Sequence, residues 1–388
     1  MMSKTDHQQR EISYNTSIEL SFLCFVCRKQ LYNIRGRESL LFLPISFCSS
    51  GPVHLFSPNR ATTSRFRSQI MSQFQGPRIA IIGIGKVGAA VAYSIIHKQI
   101  ASEVLILDIK EDFQDAQVQD LRDSTSFGIS PRVKPGTWRE CGQCDIIVFT
   151  GGTNQKGGES RLALVQRNIS VIKSGFEQMK PFGENSILLM VTNPVDIMTY
   201  FALKYTGLPP SRVFGSGTIL DTTRLKDAIA QRAEVAPRAV NAYVIGEHGD
   251  SQVIAWSNMA IGGIPLDQVL PLDAEEKHAV AEFVRFKADR LNRVKGETSF
   301  GIGAVISSIC SAILLDERNV LPLSHFQADQ GICFSKPAIL GRAGILRTLD
   351  IALEAEEAAS LERSIAKLKS VVVGTESPRP VTEISSRL

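Results

Sequence analysis

The 388-residue sequence lacks the features that would place it in a special class of protein. Its seven cysteines are too few and too scattered for a disulfide framework, which favours a reduced, intracellular protein. The two apolar runs near the N-terminus, Ser21–Cys27 and Leu40–Phe47, fall well short of the ~18 residues that a membrane-spanning helix needs. We therefore expect no membrane partner. With 44% apolar and 21% charged residues, the composition is that of an ordinary globular protein.

A strong excess of one charge sign is also missing from most of the chain. The formal net charge is +4, yet residues 1–75 contain nine Lys/Arg against four Asp/Glu. The remainder is therefore close to neutral, which argues against a nucleic-acid partner. Cys24/Cys27 and Cys141/Cys144 have CxxC spacing, but neither pair is joined by further ligands at zinc-like spacing, so no metal site is predicted.

Residues 1–75 form a basic N-terminal extension that differs from the rest. It is poor in acids after Glu38 and rich in Arg and Ser between Ser57 and Ser68, which resembles a mitochondrial transit segment. The favoured interpretation is a disordered extension, or translated sequence upstream of a start at Met71, because Met71 opens directly onto the first predicted strand. The expected location is the cytoplasm, and mitochondria are the alternative if residues 1–70 are a genuine transit segment.

Strands and helices alternate from residue 76 onward. Continuous apolar runs predict strands that are buried on both faces of a parallel sheet, at Ile79–Ile82, Val104–Leu107, Ile146–Thr150 and Ile187–Thr192. Helical patterns follow three of them, at Ala89–Ile96, Leu162–Met179 and Val195–Lys204. This alternation predicts the α/β class, with a Rossmann-type doubly wound parallel sheet over residues 76–217.

The pattern changes after Gly217. Helices are predicted at Leu220–Gln231, Glu275–Lys295, Thr298–Leu314 and Asp350–Val371, and a strand at Ala239–Ile245. We interpret residues 218–375 as an α+β catalytic domain and residues 376–388 as a flexible tail.

A glycine-rich turn, with Gly83, Gly85 and Gly88 in a GxGxxG arrangement, follows the first predicted strand. The motif alone is weak, but here it opens a helix, and the next strand ends in Asp108. Such glycines let the backbone approach a pyrophosphate at the helix N-terminus. Asp108 can bind ribose hydroxyls and would repel a 2′-phosphate. The sequence therefore predicts NAD rather than NADP.

A histidine between two glycines, His248, is the strongest candidate for proton transfer, since its ordinary pKa lies near neutral pH. Upstream, Asp221 could orient the imidazole and Arg224 could grip a substrate carboxylate. Each also has a structural interpretation, because Asp221 could cap a helix and Arg224 could be a surface residue.

Six motifs occur in the order typical of the lactate/malate dehydrogenase family, and residues 77–373 resemble that family. The motifs are the Gly83–Gly88 turn with Asp108, Gly158-Glu-Ser-Arg161, Thr192-Asn-Pro-Val195, Leu220-Asp-Thr-Thr-Arg224, Ile245–Ser251 and Lys295-Gly-Glu-Thr298. The resemblance implies NAD-dependent oxidation of (S)-lactate to pyruvate, and malate or broader 2-hydroxyacid oxidation is the alternative. A non-catalytic descendant is disfavoured because every catalytic position is filled. The family also implies a homo-oligomer, either a tetramer or a dimer.

The resemblance assigns roles to individual residues. His248 would give and take the proton, Asp221 would hold its other ring nitrogen, and Arg161 would polarise the substrate carbonyl. The residues expected at the substrate are Gln155, Arg161, Asn193, Arg224 and Thr298. The residues expected at the cofactor are Gly83, Gly85, Val87, Gly88, Asp108, Gly151, Gly152, Val191, Asn193 and Ile302. Thr298 and Ile302 also have structural interpretations, as a helix cap and a core residue.

Gln155 decides the expected substrate. Malate-specific relatives resemble the loop Gly151–Leu162 but carry arginine at this position, where it pairs with a second carboxylate. A neutral amide would leave that carboxylate desolvated and unpaired. Gln155 therefore favours pyruvate and lactate over oxaloacetate and malate.

Overall fold

The computed structural model describes residues 76–125, 131–153 and 161–376, and only the backbone of Arg161. Every described residue belongs to one compact unit. The extension 1–75, Gln155 and the tail from residue 377 lie outside the described residues.

Six parallel strands form the first part of the sheet. They are β1 Arg78–Ile82, β2 Glu103–Leu107, β3 Arg132–Pro135, β4 Ile146–Phe149, β5 Ile187–Met190 and β6 Val213–Gly215. The helices between them are α1 Lys86–Lys98, α2 Glu111–Thr125, α3 Trp138–Cys141, α4 Arg161–Met179 and α5 Val195–Thr206. Alternate residues of β1 enter two different cores, Ile79 and Ile81 one and Ala80 and Ile82 the other. The predicted parallel sheet, buried on both faces, is confirmed.

The remaining residues begin with α6 Ile219–Ala233. Five two-residue strands follow, β7 Val240–Asn241, β8 Val244–Ile245, β9 Val253–Ile254, β10 Ala260–Ile261 and β11 Ile264–Pro265. The later helices are α7 Leu266–Val269, α8 Ala274–Lys295, α9 Phe300–Leu314 and α10 Ala355–Glu376. Three longer strands, β12 Asn319–Gln327, β13 Ile332–Gly341 and β14 Gly344–Thr348, precede α10.

The antiparallel strands β12–β14 extend the first sheet instead of forming a separate one. β12 pairs with β6 through Ser324↔Gly215 and His325↔Phe214. The result is a nine-stranded sheet with the order β14-β13-β12-β6-β5-β4-β1-β2-β3. The domain boundary placed at Gly217 stays a prediction.

Three parts of the structure differ from the sequence predictions. The strands β12–β14 were not predicted, because buried polar residues such as Ser324 and His325 interrupt their apolar pattern. The single strand expected over Ala239–Ile245 is divided into β7 and β8. The last helix begins at Ala355 rather than Asp350, because the Glu357 carboxylate accepts the N–H of Glu354 at 3.1 Å and caps the helix there.

A close helix crossing holds the second half of the chain against the glycine-rich turn. A Cβ at Gly303 of α9 would lie 2.7 Å from the carbonyl oxygen of Ala90 on α1, so only glycine permits this approach. The start of α9 is thereby brought beside the carboxyl end of β1, where ligands bind in sheets of this kind.

Candidate active site

The glycine-rich turn has the geometry of a dinucleotide site. Gly83 has a φ of +86°, which favours glycine, and a Cβ on Gly88 would lie 2.0 Å from the carbonyl oxygen of Gly83. Gly85 differs from both, because a Cβ there would meet nothing within 4 Å. Open space therefore lies against the first turn of α1, whose free N–H groups favour an anion. Val87 is half-buried and packs on the core beneath this turn.

Asp108 lies at the end of β2, beside the turn. Its Oδ2 accepts the N–H of Ile84 at 2.9 Å, and its Oδ1 accepts the N–H of Lys110 at 3.1 Å. These two bonds fix the carboxylate in the wall of a cleft of ≈ 950 Å³, which Ile109 and Val171 also line. The turn, the carboxylate and the cleft together fit the phosphate, ribose and adenine parts of NAD.

The loops after β4 and β5 are tied to each other. Thr192 Oγ1 donates to the carbonyl oxygen of Gly151 at 2.7 Å, and a Cβ on Gly152 would lie 2.6 Å from Thr192 Cγ2. The Asn168 side chain, only 1% exposed, accepts the N–H of Thr153 at 2.9 Å and donates to the carbonyl oxygen of Asn193 at 3.1 Å.

Asn168 was not among the predicted site residues. It lies on α4, and its partners are 15 and 25 residues away in the chain, so no local pattern indicated its role. Val191 directly precedes Thr192 and Asn193, which form these hydrogen bonds, and it is half-buried against the core. Arg161 is the first residue of α4.

Three predicted residues are in direct contact. His248 Nδ1 lies 2.6 Å from Asp221 Oδ2, and Arg224 Nη1 donates to Asp221 Oδ1 at 3.0 Å. Asp221 is 3% and Arg224 7% exposed, whereas 27% of the His248 side chain is exposed. Both Asp221 oxygens are occupied, and Thr218 is the N-cap of α6, so Asp221 does not cap this helix. Nε2 is the ring nitrogen left for a substrate.

The charges around His248 favour its protonated form. Burial alone would lower the pKa of the imidazole, but the carboxylates of Asp221 and Asp196 outweigh it and raise the pKa of His248 to about 9. Burial likewise raises the pKa of Asp221, but His248 and Arg224 outweigh it, and the net shift is downward. The pair is therefore an imidazolium beside a carboxylate at neutral pH.

The segment before α9 is anchored to the glycine-rich turn. Glu297 Oε2 lies 3.0 Å from Lys86 Nζ, which joins this segment to the first residue of α1. Thr298 is half-buried, and the next residue, Ser299, is the N-cap of α9, so Thr298 is not the cap. Ile302 is only partly buried and packs against the core that contains α1.

The two CxxC cysteines that lie in the described chain have no features of a reactive or metal-binding pair. Cys141 and Cys144 are both buried, and burial raises the pKa of both thiols, that of Cys144 to about 12. Over residues 76–125, 131–153 and 161–376, no group of three or more His, Cys, Asp or Glu side chains could hold a metal. Within the same ranges, no helix has the length and apolarity to cross a membrane.

Known proteins match both parts of the described chain. Residues 77–215 match the NAD-binding domain of lactate/malate dehydrogenase, and residues 218–376 match the α/β C-terminal domain of the same family. The chain is 42% identical to L-lactate dehydrogenase A of Rhizopus oryzae over 294 residues, or 76% of this chain and 92% of the relative. It is 38% identical to L-lactate dehydrogenase of Gloeobacter violaceus over 304 residues, with coverage of 76% and 92%.

Solved structures agree with this match. The crystal structure of a lactate dehydrogenase from a deep-sea metagenome library, MGS-M5, has a TM-score of 0.76 and 32% identity, over 78% of this chain and 100% of that one. The fold and the glycine-rich turn with Asp108 define an NAD-dependent dehydrogenase. Within that class, the chain belongs to the lactate/malate dehydrogenase family.

Gly85 and Gly88 form a matched pair for testing the cofactor turn. Gly85→Ala should leave the melting temperature unchanged, because its φ of −64° suits alanine and its Cβ would meet no atom. The added methyl group should nevertheless weaken NADH binding by at least about tenfold, because it occupies the face that the pyrophosphate approaches. Gly88→Ala should destabilise the fold itself by about 1–3 kcal/mol through overpacking. Thermal melts and NADH fluorescence titrations measure both effects, and unchanged NADH affinity in Gly85→Ala would contradict the prediction.

Proposed function

We propose that the chain is an NAD-dependent L-lactate dehydrogenase, which converts (S)-lactate and NAD⁺ into pyruvate, NADH and a proton, and the reverse. The observation that carries the proposal is the contact of His248 and Arg224 with opposite oxygens of Asp221. It places a proton donor and a buried guanidinium on one carboxylate. The relatives named L-lactate dehydrogenase support the same reaction.

The chemistry that bound NADH supplies is hydride transfer to the substrate's carbonyl carbon. Negative charge then develops on the carbonyl oxygen, and the site needs a donor there. His248, as imidazolium, gives its proton to that oxygen, and in the opposite direction neutral His248 takes the proton from lactate. Asp221 stabilises the cation and fixes Nδ1, so that Nε2 is the reacting nitrogen.

Arginine side chains are assigned to two groups of the substrate, its carboxylate and its carbonyl group, on whose oxygen negative charge develops. Arg224 grips the substrate carboxylate through two parallel hydrogen bonds, which the single ammonium of lysine would not reproduce. Arg161 polarises the carbonyl group, and Asn193 adds a neutral hydrogen bond. Thr298 lines the substrate, and Ile302 presses on the nicotinamide.

The preference for pyruvate is tested at Gln155. Gln155→Arg should raise kcat/KM for oxaloacetate relative to pyruvate by at least about 100-fold, because the new guanidinium pairs the second carboxylate that an amide leaves unpaired. NADH oxidation with both acids, in the wild type and the variant, measures the ratio. A ratio that does not move would overturn this role for Gln155. A wild type that prefers oxaloacetate would overturn the lactate assignment in favour of malate.

The raised pKa of His248 gives the two directions opposite pH dependence. Pyruvate reduction needs imidazolium, so its rate should be constant below about pH 9 and fall as the pH rises through that value. Lactate oxidation needs neutral imidazole and should rise over the same interval. Asp221→Asn removes the negative charge that does most to raise the pKa of His248, so the pH profiles of both directions should move to lower pH. Initial rates in each direction between pH 5 and 10 check this, and an unmoved profile in Asp221→Asn contradicts it.

We also propose a homo-oligomer, a tetramer or a dimer, because the family resemblance implies one. Sedimentation equilibrium of the full chain measures the mass, and a monomer at all concentrations would refute the proposal.

For location we propose the cytoplasm, and mitochondria if residues 1–70 are a genuine transit segment. Mass spectrometry of the native N-terminus decides between the two.

A further inference from the structure

A cavity of ≈ 420 Å³ lies between α8, β9 and the start of α10. Its volume falls in the range of small-molecule sites, about 300–1,000 Å³. Val253, Ile254 and Trp256 form the apolar part of its wall, and the rest is polar or charged. The described residues that line it include none of those assigned above to the substrate or to the cofactor. The cavity is therefore distinct from the active site.

Two side chains in the wall of this cavity have a buried hydrogen-bond donor without a partner. Gln252 is only 8% exposed, and its amide nitrogen has no hydrogen-bond partner among the described residues. Arg285 of α8 donates through Nη1 to Glu282 Oε1 at 3.0 Å, but its buried Nε has no partner in the same part of the chain. Unpaired buried donors are costly, so an acceptor that enters the cavity would relieve a cost already present in the free protein.

The charged residues of the cavity are divided by sign between two helices. Lys277 and Arg285 belong to α8, whereas Glu354 and Glu356 are exposed at the start of α10. No ion pair joins the two groups in the described part of the chain, since both cations pair with acids outside α10. Opposite charges thus line one cavity without neutralising each other directly.

The third acid in the wall, Glu357, is already used by the fold. Its Oε1 accepts the N–H of Ser257 at 2.9 Å, and its Oε2 accepts the Ser257 hydroxyl and the N–H of Glu354 at 3.1 Å. The carboxylates of Glu354 and Glu356, in contrast, have no hydrogen bond or ion pair among the described residues. These two carboxylates are therefore available to a cationic group.

We propose that this cavity binds a small zwitterion, an α-amino acid with an apolar side chain. The carboxylate of the ligand accepts hydrogen bonds from the Arg285 guanidinium and from the Gln252 amide, which rotates to donate. Its ammonium group pairs with Glu354 and Glu356, and its side chain lies against the apolar part of the wall. A ligand with one charge would leave one of the two charged groups unmatched, whereas a zwitterion matches both. Such binding goes beyond the proposed reaction and needs neither NAD nor pyruvate.

Three matched compounds separate a zwitterion site from a site for a single charge. L-Valine carries both charges, isobutylamine lacks its carboxylate, and 3-methylbutanoate lacks its ammonium group. Isothermal titration calorimetry of the full chain in about 0.15 M salt should give one L-valine site per chain, with a Kd below about 1 mM. Each of the other two compounds should bind at least about tenfold more weakly, because it loses the charge-assisted hydrogen bonds to one group of residues.

Substitutions in the two helices should remove the two parts of this recognition separately. Arg285→Met should weaken L-valine binding at least about tenfold and leave isobutylamine binding unchanged. The double substitution Glu354→Gln/Glu356→Gln should weaken L-valine binding by a similar factor and leave 3-methylbutanoate binding unchanged. Both glutamates are exposed, so this variant should keep the wild-type fold. Glu362→Gln, which is exposed on α10 but does not line the cavity, is the matched control and should keep the wild-type affinity.

Three results would overturn the zwitterion site. They are no binding of L-valine up to about 10 mM, binding of either single-charge compound as tight as that of L-valine, and wild-type L-valine affinity in the Glu354/Glu356 variant. None of these results depends on turnover. A protein that binds L-valine but reduces no pyruvate would refute the proposed reaction and leave the zwitterion site in place.

Discussion

His248→Gln should lower kcat for pyruvate reduction by about 10²- to 10⁴-fold, the usual contribution of a positioned general acid. Glutamine has a similar reach and can form hydrogen bonds, but its amide N–H is far too weakly acidic to act as a general acid. We expect the largest effect among the site variants here. Without the imidazole, Asp221 has no ring to orient, so the substitution removes the function of both residues. Steady-state NADH oxidation at saturating pyruvate measures kcat.

NADH binding is the control for this variant. The turn at Gly83–Gly88 and Asp108 do not contact the imidazole in the hydrogen-bond network, so the NADH dissociation constant should stay within about twofold of the wild type. Turnover close to that of the wild type in His248→Gln would remove His248 from the reaction. Loss of NADH binding would instead indicate that the variant had disturbed the fold.

Arg224→Lys should lower kcat/KM for pyruvate by about 10²- to 10³-fold, which corresponds to roughly 3–4 kcal/mol. Arg224 is buried and already bonded to Asp221 through Nη1, so its guanidinium is held in one orientation. Lysine keeps the charge but loses the two-pronged geometry, and it also leaves Asp221 Oδ1 without its present donor. We expect most of the loss to appear in KM, because the substrate carboxylate is bound before and during the reaction.

Arg232→Lys provides a matched control on the same helix. Arg232 donates through Nη1 to the carbonyl oxygen of Ala228 at 3.0 Å, and it has no contact with Asp221 or His248. Its replacement should leave KM for pyruvate unchanged. Equal effects of the two lysine variants would show that α6 had been disturbed in general, and would contradict the specific role of Arg224.

Local signals account for the parts of the structure that were predicted correctly. The strands β1, β2, β4 and β5 are short apolar runs bounded by glycine or polar residues, and their pairing order follows from right-handed crossovers. The turn after β1 was predictable because its glycines, helix and acid lie within 26 residues, from Gly83 to Asp108.

The missed features depend on contacts between distant parts of the chain. Asn168 and Asp196 are polar residues in otherwise apolar helical patterns, and their partners lie 25 and 52 residues away. The strand β12 contains Pro322 and buried polar residues, so its sequence does not alternate as an exposed antiparallel strand does. Its place beside β6 becomes visible only when the sheet is assembled.

The shared nine-stranded sheet restricts how this enzyme can move. β6 and β12 are joined by backbone hydrogen bonds. The cofactor half and the substrate half therefore cannot move apart by a hinge motion without breaking the sheet. Rearrangements during turnover must therefore take place in the segments that connect the strands and helices, while the sheet itself stays rigid. We therefore expect a change of substrate preference to follow from substitutions in those segments, and not from substitutions in the strands of the sheet.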